Sequence, residues 1–245
     1  MASNLVRFGI PSIAVALALL FVVAVAWSGH SAGLRDGVRQ RRTLMAALGV
    51  VLFMGAIAGL ALSGALGRFD VRPPPLLLWM LATLGSALAV GLSPFGARLA
   101  ETLPFTALVG FQVFRLPLEL VMHEAAAEKV MPNVMSFSGY NFDIVSGVTA
   151  ALVTLALARG SAPRSLVVAW NFLGSVLLGA IVTIAFLATP LVRAFGDAEL
   201  NVWITQFPYC WMAVMVSSAL LGHVLVARKL LRATAPVARH AAVLG

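Results

Sequence analysis

The chain has 245 residues, 61% of them hydrophobic and 11% charged, with a mean hydropathy of +0.98. A soluble domain carries about 25% charged residues. Long apolar runs recur along this whole sequence, so it reads as a polytopic helical membrane protein. The net charge of +8 and pI near 11.2 do not point to nucleic acid: most Lys and Arg sit in short loops and the tail, where they report topology.

Seven apolar segments are long enough to cross a bilayer, which takes about 20 residues each. They fall near 9–27, 44–66, 76–96, 103–123, 141–159, 166–192 and 203–227. The first resembles a signal peptide around Ala24-Val25-Ala26. Arg7 alone makes a weak basic leader, however, and a basic loop follows, so a true span is expected. Eleven Lys and Arg fall on one side: Arg35, Arg39, Arg41, Arg42, Arg98, Arg159, Arg164, Arg228, Lys229, Arg232 and Arg239. Five fall on the other: Arg7, Arg68, Arg72, Lys129 and Arg193. The richer side is cytoplasmic by the positive-inside rule. The expected fold is an all-α seven-transmembrane-helix bundle with the N-terminus out and the C-terminus in. It forms a single polytopic domain over 1–245, with 228–245 a short basic cytoplasmic tail, in a bacterial-type inner membrane.

Small residues four apart let helices approach closely. Gly55 and Gly59, continued by Ser63 and Gly67, are read this way, as are Gly85, Gly174 and Gly179. Trp27, Trp79, Trp170 and Trp203 lie near span ends and are expected in the interfacial belts.

Polar residues gather in the fourth span. Gln112, Arg115, Glu119 and His123 follow i,i+3 and i,i+4 spacing and share one stripe of a helix. A charge at a helix centre in lipid costs about 2.5–3.5 kcal/mol, so such residues face the protein interior and pair. Pro117 frees the carbonyl of Val113 and is expected to kink the helix beside the stripe. In the expected topology the stripe lies in the extracytoplasmic half. Asn141 and Asp143 begin the fifth span at that depth, and Gln206 and Tyr209 begin the seventh. Asn141 or Ser138 is expected to cap the fifth span; Asp143 either favours its positive end or pairs with Arg115 or His123. The candidate ligand-binding residues are thus Gln112, Arg115, Glu119, His123, Asn141, Asp143, Gln206 and Tyr209. Asn171 reads as interhelical glue, and His223, near the cytoplasmic end, reads as solvated at the interface.

Several chemistries are disfavoured. Glu119, His123 and Asp143 offer three metal ligands, but Arg115 would set a positive charge beside the ion and the outer half has one His. The single cysteine, Cys210, excludes a disulfide and a Cys-rich metal site. A bis-His haem lacks its second His, and a retinal Schiff base lacks an intramembrane Lys. No metal or cofactor is therefore expected, and an enzyme is not favoured. The expected partners are membrane lipids, a small polar, anionic or lipid-like ligand anchored by Arg115, and a second copy or a partner membrane subunit. Small-molecule transport and intramembrane metal-dependent hydrolysis are the alternatives.

The run FRLPLELVMHEAAAEKVMPNVMSFSGYNFDIVSG (114–147) resembles a block in uncharacterised bacterial multi-spanning membrane proteins. There an Arg-x3-Glu-x3-His helix is followed by an Asn-Phe-Asp turn. The resemblance carries Arg115, Glu119, His123, Asn141, Phe142 and Asp143 into a common site and implies no activity.

Overall fold

The computed structural model describes residues 3–232. The tail from 233, with Arg239, lies outside the described residues. Among the described residues the fold is all-α. The helices are α1 (Asn4–Ser31), α2 (Asp36–Leu62), α3 (Pro75–Leu92), α4 (Pro94–Thr102), α5 (Phe105–Gly110), α6 (Arg115–Ala127), α7 (Ile144–Ala158), α8 (Arg164–Leu187) and α9 (Met212–Arg232). Six helices, with 105–127 taken as one, are long and apolar enough to cross a membrane. This is the build of a multi-pass membrane protein. The fifth expected segment is the exception. With 15 residues, α7 rises only about 22 Å at 1.5 Å per residue, against a hydrocarbon core of about 30 Å.

Helix ends follow local chemistry. Pro75, Pro94 and Arg164 after Pro163 start helices where a missing N–H is harmless. Ser93 caps α4 by accepting from the Gly96 amide at 3.1 Å. Gly33 and Gly160, at φ of +65° and +69°, stop α1 and α7. After each, the next amide reaches back to close the turn, Leu34 to Gly29 and Ser161 to Ala156.

The basic residues collect where helix C-termini leave carbonyls unpaired. Arg228 donates to the Gly91 and Ser93 carbonyls, and Lys229 to those of Ala100 and Glu101. Arg164 donates to the Leu230 carbonyl, and Arg232 pairs with Glu101. At the other end of the bundle the Ser3 amide donates to both Glu128 oxygens, at 3.1 and 2.9 Å.

Helix α9 is central, packing on α1, α3, α4, α5 and α8. One apolar core joins α1, α6 and the first turns of α9 through Val6, Ile10, Leu118, Met122 and Met215. A second joins α4, α5, α7 and α8 to the rest of α9 through Leu99, Val109, Val153, Trp170 and Val226. Exposed Leu19, Val23, Leu48, Leu52 and Leu81 leave the outside of the bundle apolar, as lipid requires.

Several packing expectations are corrected. Nothing approaches Gly55, Gly59, Gly85 or Gly179 within 4 Å of where a Cβ would stand. Helix α2 is peripheral, so its small-residue stripe faces outward. Gly174 does mediate close packing: a Cβ there would meet the His223 ring at 2.5 Å. Trp27 is exposed as a belt residue should be, but Trp170 and Trp203 are buried. Trp170 lies against His223, with ring centroids 5.3 Å apart.

Candidate functional site

The fourth span is not one smooth helix. Between α5 and α6 the chain tightens into a 3-10 stretch, Phe111–Phe114. Pro117 is the third residue of α6, and its i−4 carbonyl belongs to Val113 within that stretch. The break delivers Arg115 and Glu119 to the interior, where they are 1% and 2% exposed.

Their partners come from the chain that returns after α6. The Asn141 amide nitrogen donates to both Glu119 oxygens, at 2.8 and 2.9 Å, and to the Met135 carbonyl at 3.0 Å. The Asn141 side-chain oxygen accepts from the Asp143 amide at 3.0 Å. Asn141 therefore holds the carboxylate of Glu119 and the start of α7 together. Asp143 is the residue before α7 but caps nothing with its side chain. Its Oδ1 accepts from Arg115 Nη1 at 2.7 Å. Arg115 Nη1 also lies 3.5 Å from the Gly174 carbonyl. The other edge of the guanidinium, Nε and Nη2, is buried without a hydrogen-bond partner. Unpaired buried donors are rare in folded proteins and each calls for an explanation.

Arg115 is also among the residues that line a cavity. Arg115, Glu119, Asn141 and Asp143 form its polar end, and α3, α8 and α9 form apolar walls with Met80, Leu84, Leu178, Ile181, Val182 and Val216. Its volume is about 110 Å³, below the ~300–1,000 Å³ usual for drug-sized ligand sites. Two further unpartnered groups stand on its wall, the Trp79 indole N–H and the Asn201 side-chain oxygen. Sequence reasoning missed both. Trp79 was read as a belt residue, and Asn201 sits in a loop with no periodic signal.

The other candidates are placed elsewhere. Gln112 is fully buried but faces α9, donating to the Ala219 carbonyl at 3.0 Å. It fits only because residue 222 is glycine: a Cβ there would lie 2.1 Å from Gln112 Nε2. His123 is half-buried, with Nδ1 2.9 Å from Ser138 Oγ and its ring stacked on Phe137 at 4.3 Å. It does not join Glu119 and Asp143, and no group of three metal-ligating side chains occurs among the described residues. Gln206 is exposed, and Tyr209 packs on Trp203 at the end of the bundle. Gln206 follows one 3-10 turn, Trp203–Thr205, and Tyr209 opens the next, Tyr209–Trp211, both ahead of α9. His223 is 3% exposed, not solvated, and its Nδ1 meets Asn171 Oδ1 at 2.9 Å. Asn171 thus joins α8 to α9, the interhelical role expected of it. His30 meets Arg39, not His223.

The cavity also differs from the expected outward-facing pocket between the fourth, fifth and seventh spans. α7 supplies only its leading residue, Asp143. Comparison of the chain with family models, curated proteins and solved structures gives no match.

Proposed function

We propose that this chain is a seven-pass inner-membrane protein, N-terminus out and C-terminus in, that binds an anionic ligand as a sensing or accessory subunit. The observation that carries the reading is the unpaired Nε–Nη2 edge of Arg115, a residue that lines a cavity. Two parallel N–H groups of a guanidinium match the two oxygens of a carboxylate or phosphate. Asp143 holds the opposite side of the guanidinium and fixes its plane. Asn141 holds the Glu119 carboxylate beside the pair. In this reading α7 crosses the bilayer with help from flanking turns, and the basic end of the bundle is cytoplasmic. The shared Arg-x3-Glu and Asn-Phe-Asp elements of the resembling bacterial proteins would then build the same site.

Native mass spectrometry of protein extracted from its host membrane tests this. The wild-type chain is expected to carry a bound anion that the Arg115→Met/Asp143→Leu double variant lacks. Replacing a buried ion pair by apolar residues of similar volume is often neutral for stability, so the variant keeps the bundle while losing the anchor. Equal masses of bound material in the two proteins would reduce the network to a helix clamp.

A further inference from the structure

Helix α2 is held on one side only. It packs along α1 and on the 3-10 turns Ala65–Gly67 and Tyr209–Trp211, but not closely on α3 or α9. At its middle the Phe53 ring lies on Trp79 of α3, with centroids 5.1 Å apart. Beside it the Trp211 indole donates to the Met54 carbonyl at 3.1 Å. From there toward the basic end of the bundle, α2 and α3 stand apart.

The gap is a second cavity, with a volume of about 450 Å³, within the ~300–1,000 Å³ usual for ligand sites. Leu17 and Phe21 of α1, Val90 of α3 and Leu221 of α9 form its back, and Gly49 and Phe53 of α2 one side. Ser86 and Ser217 also line it, but their hydroxyls donate to the Thr83 and Ala213 carbonyls of their own helices. Met45, Gly49 and Ser86 are exposed, so the mouth opens between α2 and α3 to the outside of the bundle. Arg42 stands at one end, half-buried. From Arg42 to Phe53 the helix rises about 16 Å at 1.5 Å per residue. That is about half of a hydrocarbon core of about 30 Å, the depth of one leaflet.

Charge at the Arg42 end is one-sided. Arg35, Arg41 and Arg98 share it. Its two described acids are engaged, Asp36 with Arg39 at 2.9 Å and Glu101 with Arg232. Among the described residues no acid pairs with Arg42.

We propose that this groove holds one acyl chain of an anionic phospholipid, with the headgroup phosphate on the Arg42 guanidinium. A basic side chain at the membrane surface attracts an anionic headgroup, and a guanidinium matches phosphate oxygens. Apolar walls one leaflet deep then receive the chain that starts there. A free phosphate would match Arg42 and leave those walls bare. The groove shares no lining residue with the Arg115 cavity and does not depend on the reading given for it.

The test titrates the full chain in detergent with phosphatidylglycerol and phosphatidylcholine of equal chain length, read by native mass spectrometry. One phosphatidylglycerol is expected to bind more tightly than further copies and than phosphatidylcholine. Arg42→Gln should weaken it about 5- to 10-fold, the scale of one basic side chain at an anionic surface, and Arg42→Lys should keep most of the binding. Arg41→Gln removes the same charge from the next residue, outside the groove, and should change nothing. Gly49→Phe fills the groove from a position where a Cβ meets nothing within 4 Å, and should abolish the tight lipid. Equal losses in Arg41→Gln and Arg42→Gln would overturn the site in favour of a diffuse basic surface. Tight binding that survives Gly49→Phe would overturn the groove as its place. Phosphatidylcholine held equally well would overturn the role of the headgroup charge. Glycerol 3-phosphate competing at the same concentration as phosphatidylglycerol would overturn the role of the chain.

Discussion

Two sets of buried polar residues occupy the same bundle and are built to different ends. In the first, Gln112, Asn171 and His223 join α8, α9 and the 3-10 turn ahead of α6. Their space is made by glycines: Gly174 under the His223 ring and Gly222 under Gln112. None of the three lines the cavity. In the second, Arg115, Glu119, Asn141 and Asp143 bind one another and also line the cavity. A polar set that only holds helices together is packed until nothing fits beside it. Both sets leave buried polar atoms unpartnered, Gln112 Oε1 and His223 Nε2 in the first and Arg115 Nε and Nη2 in the second, and the residues of the second line the cavity. Burial and polarity alone do not separate the two; the adjoining space does.

The comparison can be broken most forcefully at the ion pair. Arg115→Ala leaves the Asp143 carboxylate buried without its partner, and breaking a buried pair destabilises by about 3–5 kcal/mol. Arg115→Met/Asp143→Leu is expected to restore most of that loss. Unfolding in mixed micelles would read both. A single variant as stable as wild type would show that water reaches the pair.

The packed set should respond to volume instead of charge. Gly222→Ala drives a methyl into the Gln112 amide, and overpacking of this kind costs about 1–3 kcal/mol. Gln112→Ala in the same chain should return much of it, with Arg115-dependent ligand binding retained in the pair of changes. If Gly222→Ala abolished binding while leaving stability intact, the two sets would be one functional unit.

A smaller effect is expected on α2. Because Gly55 and Gly59 meet nothing in the chain, Gly55→Ala and Gly59→Ala should be neutral or stabilise by about 0.5–1 kcal/mol through helix propensity. Clear destabilisation of the detergent-solubilised monomer would contradict the outward placement of that stripe.

The smallest effect lies at the exposed tether between Ser3 and Glu128. Its hydrogen bonds to Ser3 hold the Glu128 carboxyl below its usual 4.5. A depressed carboxylate contributes stability above the unfolded value and loses it as pH falls through the folded one. The protection of amides at the start of α1, measured relative to their intrinsic exchange rates, should therefore fall below about pH 4.5 in wild type, and Glu128→Gln should flatten that dependence.

Much of this was legible in the sequence. Hydropathy located the long helices, and i,i+4 spacing found Arg115 and Glu119 on one face. The loop that brings Asn141 and Asp143 back to them was anticipated as well. His123 shows where periodicity stops. It shares the stripe but lies one turn beyond Glu119, about 6 Å along the axis, where Phe137 and Ser138 cover it instead. Spacing fixes a face and says nothing of where a roof crosses it. Gln206 and Tyr209 lie apart from Arg115 for a related reason, since apolar composition does not reveal that two 3-10 turns, Trp203–Thr205 and Tyr209–Trp211, stand in place of the first turns of a helix. The cavity was not legible at all. Its walls come from α3, α8 and α9, far apart in sequence, and each of those helices is apolar in the ordinary way of a membrane span.

The most direct measurement is a cryo-electron microscopy map of the chain in lipid nanodiscs, read at the Nε–Nη2 edge of Arg115. The account predicts density of a small bound group within hydrogen-bonding distance of that edge. A map with the guanidinium turned to pair with Glu119, and no density beside it, would contradict it.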